Sequence, residues 1–161
     1  MSTADSSREM LRHVVATVAY RAAKSVRDAP ADFGGFRAGE GSRTAGQILA
    51  HMGDLFDWAL SIAEGRERWT NSTPQPWAAE VERFFAAVKR FDDYLASPKQ
   101  LGSSAEKLFQ GALADSLTHI GQIGMLRRLA GAPVRGESYF RADIERGRVG
   151  PDQAPARREF D

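Results

Sequence analysis

The chain has 161 residues and no cysteine, with 22 basic against 21 acidic side chains and a formal charge of +1. That length suits one domain whose core needs neither disulfides nor a structural metal. Disulfide frameworks, thiolate metal sites and cysteine nucleophiles are excluded, and the balanced charge gives no general pull toward nucleic acid or an anionic membrane.

Four helical segments are predicted in chain order. The first runs from about Ser7 to Asp28. Ser6 and Glu9 form a candidate capping box, and Leu11, Val14, Val15, Val18 and Ala22 make one apolar stripe at helical spacing. Pro30 and the Gly34–Gly35 pair break the pattern. The second helix runs from Thr44 to Glu64, with Thr44 and Gln47 as a capping box and Gly65 as the stop. Ile48, Met52, Leu55, Phe56, Ala59 and Ala63 are its inward face.

A polar linker, "GRERWTNSTPQP", precedes the third helix, expected from about Gln75 to Ala96 with Thr73 as cap and Pro74 in the first turn. Val81, Phe84, Phe85, Val88, Phe91 and Leu95 supply its core side chains. The fourth opens at Ser103 and Glu106, another capping-box pair, and ends near Ala130 before Gly131 and Pro133. Leu108, Ala112, Ile123, Leu126 and Ala130 line one side of it, and Phe109, Leu113 and Ile120 an adjoining stripe. Gly111, Gly121 and Gly124 cost this helix about 1 kcal/mol each relative to Ala, which close approach of a neighbouring helix would offset.

Residues 135–161 read as a tail behind a bundle spanning residues 1–134. "ESYFRADIERG" is a candidate short helix, and the tail's six basic and six acidic residues cancel. Tyr139, Arg141 and Asp143 belong to a segment long enough to fold over the bundle as a lid. No β-alternation, repeat or low-complexity tract is visible. The polar start "MSTADSSREM" lacks the apolar stretch of a signal peptide, and no apolar run approaches the roughly 18 residues of a membrane span. A cytoplasmic protein, with no nucleic-acid or membrane partner, is the expectation.

Three histidines are present. His13 falls nearly opposite the stripe of helix one and reads as a solvated side chain. His119 sits mid-stripe on helix four, and Asp115 lies one turn earlier, about 40° round the helix. Gln122 projects near the same edge. A buried carboxylate without a partner is very costly, and the imidazole four residues on is within reach. His51 lies at the edge of helix two's apolar face, near Leu55, Trp58 and Ile62. Antiparallel packing of helices two and four would bring His51, Asp115 and His119 together as two imidazoles and a carboxylate. That donor set suits zinc, nickel, copper or iron and leaves a position for water or substrate. The alternative is a buried Asp115–His119 hydrogen-bonded pair with His51 satisfied at the helix boundary. Trp58, Trp69 and Trp77 cluster near the ends of helices two and three, either as a pocket mouth or as rim packing.

The stretches "RTAGQILAHMGDLFDWAL" (43–60) and "ADSLTHIGQIGMLRRLAGAPV" (114–134) resemble the second and last bundle helices of the DinB/YfiT-like family. The resemblance covers about residues 7–134. It implies an all-α, up-down-down-up four-helix bundle holding a divalent metal, usually zinc or nickel, on three histidines. His51 matches the first of these and His119 the last. Asp115 stands where the family has its middle His, and Ile120 replaces the usual Arg. The Asp keeps a metal-competent side chain but adds charge, so iron or manganese also fit.

Characterised members of such a family are similar in using a low-molecular-weight thiol. The resemblance therefore implies an S-transferase or isomerase whose metal holds a small-molecule thiol as thiolate against an electrophilic substrate. A metal-dependent hydrolase is the alternative; Asp54 and Glu64 are its visible base candidates, although Asp54 points away from His51. A third reading is a stress-associated, non-catalytic bundle. Homodimers are common in the family.

Overall fold

The computed structural model describes residues 3–161, with side chains from Ser6 onward. It is all-α apart from one two-residue strand pair. Helix α1 spans Thr3–Val26, α2 Ala45–Ala63 and α3 Trp77–Ala96. Then α4 (Ala105–Leu108), a π-helical turn (Phe109–Leu113) and α5 (Ala114–Leu129) follow without a break as a fourth rod. Among the described residues no helix is long and apolar enough to cross a membrane.

Side-chain pairings fix the helix directions. Arg12 of α1 bonds Asp92 of α3, and Arg8 reaches the Ser97 carbonyl, so α1 and α3 run antiparallel. Asp54 and Asp57 of α2 pair with Arg83 and Arg90 of α3, so these two run in the same direction. His51 meets Asp115, and Trp58 lies over Gly111, which makes α2 and α5 antiparallel. One apolar core fills the space between them. Most of the inward residues read from the sequence are buried there, including Val15, Val18, Met52, Phe56, Phe84, Val88, Phe91 and Ile123, while Val14, Val81 and Ala130 are partly buried. At about 25 cal/mol per Å² of apolar area removed from water, this burial is the main force holding the helices together.

Local chemistry sets the ends of α2. The Thr44 side chain accepts the Gln47 backbone N–H while Gln47 accepts from the Thr44 N–H, closing the expected capping box. Gly65, at φ 75, ends the helix. The chain then returns very close to this point. A Cβ on Gly102 would lie 2.5 Å from the Gly65 nitrogen, so only glycine lets the α4 entry pass the end of α2.

Several local expectations are corrected. Helix α1 starts at Thr3, so Ser6 and Glu9 lie within it rather than at its cap. Glu9 pairs instead with Arg146 and Arg12. Helix α3 starts at Trp77 behind Pro76, with no side-chain cap from Thr73. Ser104, not Ser103, caps α4 by accepting the Lys107 N–H. The π turn gives the fourth rod an extra residue, and Phe109, expected in the core, is 44% exposed. A Cβ on Gly111 would meet the Trp58 ring at 3.5 Å, whereas one on Gly121 or Gly124 would face open space.

The tail packs along α1. Buried Glu137 accepts from the Tyr20 hydroxyl at 2.5 Å and from Lys24 at 2.8 Å. Gly136–Glu137 pairs antiparallel with Glu159–Phe160, the β-structure that alternation did not reveal because each strand has only two residues. The expected short helix is a single 3-10 turn, Tyr139–Arg141. Tyr139 lies edge-on to Tyr20 and under Arg21, and Asp143 pairs with Arg157 within the tail.

Candidate metal centre

Helix α2 carries His51 one residue off its buried stripe, and α5 carries Asp115 and His119 four residues apart on one face. Because α2 and α5 run antiparallel, these positions come level. One ligand atom from each of His51, Asp115 and His119 lies within 4.8 Å of the others. His51 Nε2 is 3.5 Å from Asp115 Oδ2, and His119 Nε2 is 3.4 Å from Asp115 Oδ1. The two imidazole rings stand perpendicular, with centroids 4.8 Å apart.

Burial is graded across the cluster. The His119 side chain is 11% exposed, His51 21% and Asp115 46%, so the carboxylate forms the open side. An open groove of about 470 Å³ runs past it, walled by Leu55 and Trp58 and floored by Gly111 and Ala114. His119 Nδ1 lies 2.7 Å from Gln122 Oε1. Burial, then the positive fields of His119 and Arg43, push the His51 pKa below its ordinary value, against the opposing pull of Asp115. His51 is thereby biased toward the neutral imidazole that a metal requires.

The donor set passes a fit test. The carboxylate–imidazole separations of 3.4 and 3.5 Å are long for a hydrogen bond. Each imidazole nitrogen faces a different Asp115 oxygen, and one ligand atom from each residue lies within 4.8 Å of the others, wider than the spacing of about 3.3–3.6 Å between donors on a tetrahedral ion, so binding would draw the three donors closer. Two neutral nitrogens and one carboxylate oxygen suit a divalent transition metal.

The other sequence candidates are placed elsewhere. His13 is exposed on α1. Asp54 is buried against α3, where it accepts from the Ser72 N–H and hydroxyl and from Arg83. Glu64 pairs with Arg66 at the end of α2. Trp77 packs edge-on against Phe33, at 5.0 Å.

Trp69, read from the sequence as pocket mouth or rim packing together with Trp58 and Trp77, is placed against the centre. It comes from the linker between α2 and α3, lies edge-on to His51 at 5.5 Å and touches Trp58 at 5.8 Å. The linker is held there by Ser61, whose hydroxyl accepts the Arg68 N–H, and by Trp58, which donates to Glu67. The available signal was a tryptophan in an otherwise polar segment, which needs an apolar surface to rest on. No family model, curated protein or solved structure matches the chain.

Proposed function

We propose that this chain is a metal-dependent enzyme with its centre at His51, Asp115 and His119, built on an up-down-down-up bundle of the DinB/YfiT-like type. The helix pairings support that topology. The carrying observation for the centre is the convergence of three donors, from two helices over sixty residues apart, within 4.8 Å of one another. The family resemblance favours zinc or nickel, with iron or manganese as further occupants.

The residues divide the work. His51 and His119 offer neutral nitrogens from inside, and Asp115 adds one negative charge from the solvent side. Trp58, Leu55 and Trp69 give the flank beside these donors apolar surface for a substrate to rest on. A bound divalent ion supplies Lewis acidity, lowering the pKa of a small-molecule thiol or of water.

Thiol transfer or isomerisation onto an electrophilic substrate is the reading favoured here. Hydrolysis calls for a free general base, and Asp54 and Glu64 are both already engaged in ion pairs. We also propose a homodimer, with the apolar groove between Met10, Val14 and Phe109 as the contact face.

Elemental analysis of the purified native chain, beside His51→Ala and Asp115→Ala, tests the centre. One equivalent of metal in the native chain and none in the variants is expected. A folded native chain that takes up no metal under any loading condition would leave a non-catalytic bundle. Screening thiols with electrophilic acceptors against esters and amides without thiol then separates transfer from hydrolysis.

A further inference from the structure

We infer that Gln122 is a positioning residue: it holds His119 in the Nδ1-protonated tautomer, so that Nε2 presents a lone pair to Asp115 and His51. The inference rests on the metal-centre reading for its purpose but not for its geometry. His119 Nδ1 and Gln122 Oε1 are 2.7 Å apart, the closest polar contact recorded for either nitrogen of this ring. With the amide oxygen as acceptor, Nδ1 must carry the proton. Nε2 of the neutral ring is then an acceptor, 3.4 Å from the carboxylate oxygen Asp115 Oδ1.

Two acceptors facing each other repel, and a cation between them turns the repulsion into binding. Gln122 therefore does more than orient a ring. It denies the cluster its simplest self-satisfied state, an Nε2–H donated to Asp115, and keeps the donor set open. Histidine ligands generally give their second ring N–H to such an outer partner, which fixes the tautomer and raises ligand basicity. Here the partner sits one turn along the same helix and is solvent-exposed, so its substitution leaves the core untouched.

Long-range nitrogen–proton correlation spectra of the metal-free protein, at about pH 9 and so above the ordinary imidazole range, test the inference directly. The native chain should show His119 protonated at Nδ1. Gln122→Met, close in volume but without the amide acceptor, should move the proton to Nε2, and Gln122→Glu should return it to Nδ1. Zinc affinity, read by competition with a chromophoric chelator, should fall about 10- to 100-fold in Gln122→Met and recover in Gln122→Glu. An Nε2-protonated His119 in the native chain, or a tautomer indifferent to Gln122→Met, overturns the inference. A Gln122-dependent tautomer in a protein that takes up no zinc supports the positioning role and overturns the metal centre instead.

Discussion

Two polar clusters flank helix α2, starting from residues only three apart in the chain: His51 faces α5 and Asp54 faces α3. The Asp54 cluster is closed. Arg83 donates to Glu80 at 2.5 Å, to Asp54 at 3.2 Å and to the Ala50 carbonyl at 2.6 Å. The Ser72 and Gln75 N–H groups take up further carboxylate oxygens at 2.9 and 2.8 Å. Every donor there meets an acceptor, so the cluster needs nothing from solution. The His51 cluster is open: carboxylate and imidazole atoms stand 3.4–3.5 Å apart, and the Asp115 side chain is nearly half exposed. The difference between scaffold and site lies in whether the donors and acceptors balance, not in how many polar groups gather.

The largest expected effect comes from breaking the closed cluster. Arg83→Met leaves Glu80, which is fully buried, without its cation. Removing one partner of a buried ion pair costs about 3–5 kcal/mol, and urea unfolding should register that loss. A cost below about 1 kcal/mol would show that the two clusters do not differ as described.

Asp115→Asn should behave in the opposite way. The Asp115 side chain is nearly half exposed, so metal-free stability should stay within about 0.5 kcal/mol of native. Zinc at 100 times its Kd should stabilise the native chain by about 2.7 kcal/mol and the variant not at all. Thermal melts with and without zinc make the comparison, and equal shifts in both proteins would remove Asp115 from the centre. Between these regions lies a shared support, the Thr44 cap of α2. Thr44→Ala should cost about 1 kcal/mol in urea unfolding while leaving the zinc affinity unchanged, because both clusters begin beyond the first turn of the helix.

Helical periodicity carried much of this arrangement. The inward faces of α1 to α3 follow the 3.6-residue repeat, and the Thr44 box and Gly65 stop are side-chain chemistry readable at four positions. Asp115 and His119 share a face for the same reason, and an antiparallel partner was enough to bring in His51. The π turn was hidden because one extra residue in the bonding pattern leaves no mark in composition, yet it re-aims Phe109 outward. The contact of Trp69 with His51 and the Arg83 network were hidden for another reason. Their positions depend on how the linker between α2 and α3 returns across the surface, a long-range outcome that no local repeat encodes. Gln122 lay in plain view on the correct edge, but its role depends on a 2.7 Å contact with one ring nitrogen and not the other.

The smallest expected effect is a difference in acid sensitivity between the two flanks. Burial and the nearby His119 and Arg43 hold the His51 pKa below its ordinary value. In the unfolded chain the imidazole takes up a proton near pH 6.5, about the free value, while the folded chain still refuses it. The unfolded state therefore binds more protons over that interval, and stability must rise with pH across it. The His51 contribution is thus complete above about pH 6.5 and is lost as pH falls toward the folded value. Urea midpoints in chelator from about pH 8 to pH 5 should consequently fall less steeply for His51→Gln than for the native chain. Asp115→Asn removes the carboxylate that opposes the shift, so its acid loss should be the steepest of the three. The closed cluster contributes no such slope through Arg83: burial lowers the guanidinium pKa, but Glu80 and Asp54 outweigh it and raise the value further from this range. Identical slopes in all three proteins would mean that His51 is as freely solvated when folded as when unfolded, and the open cluster would lose the bias that keeps this donor neutral.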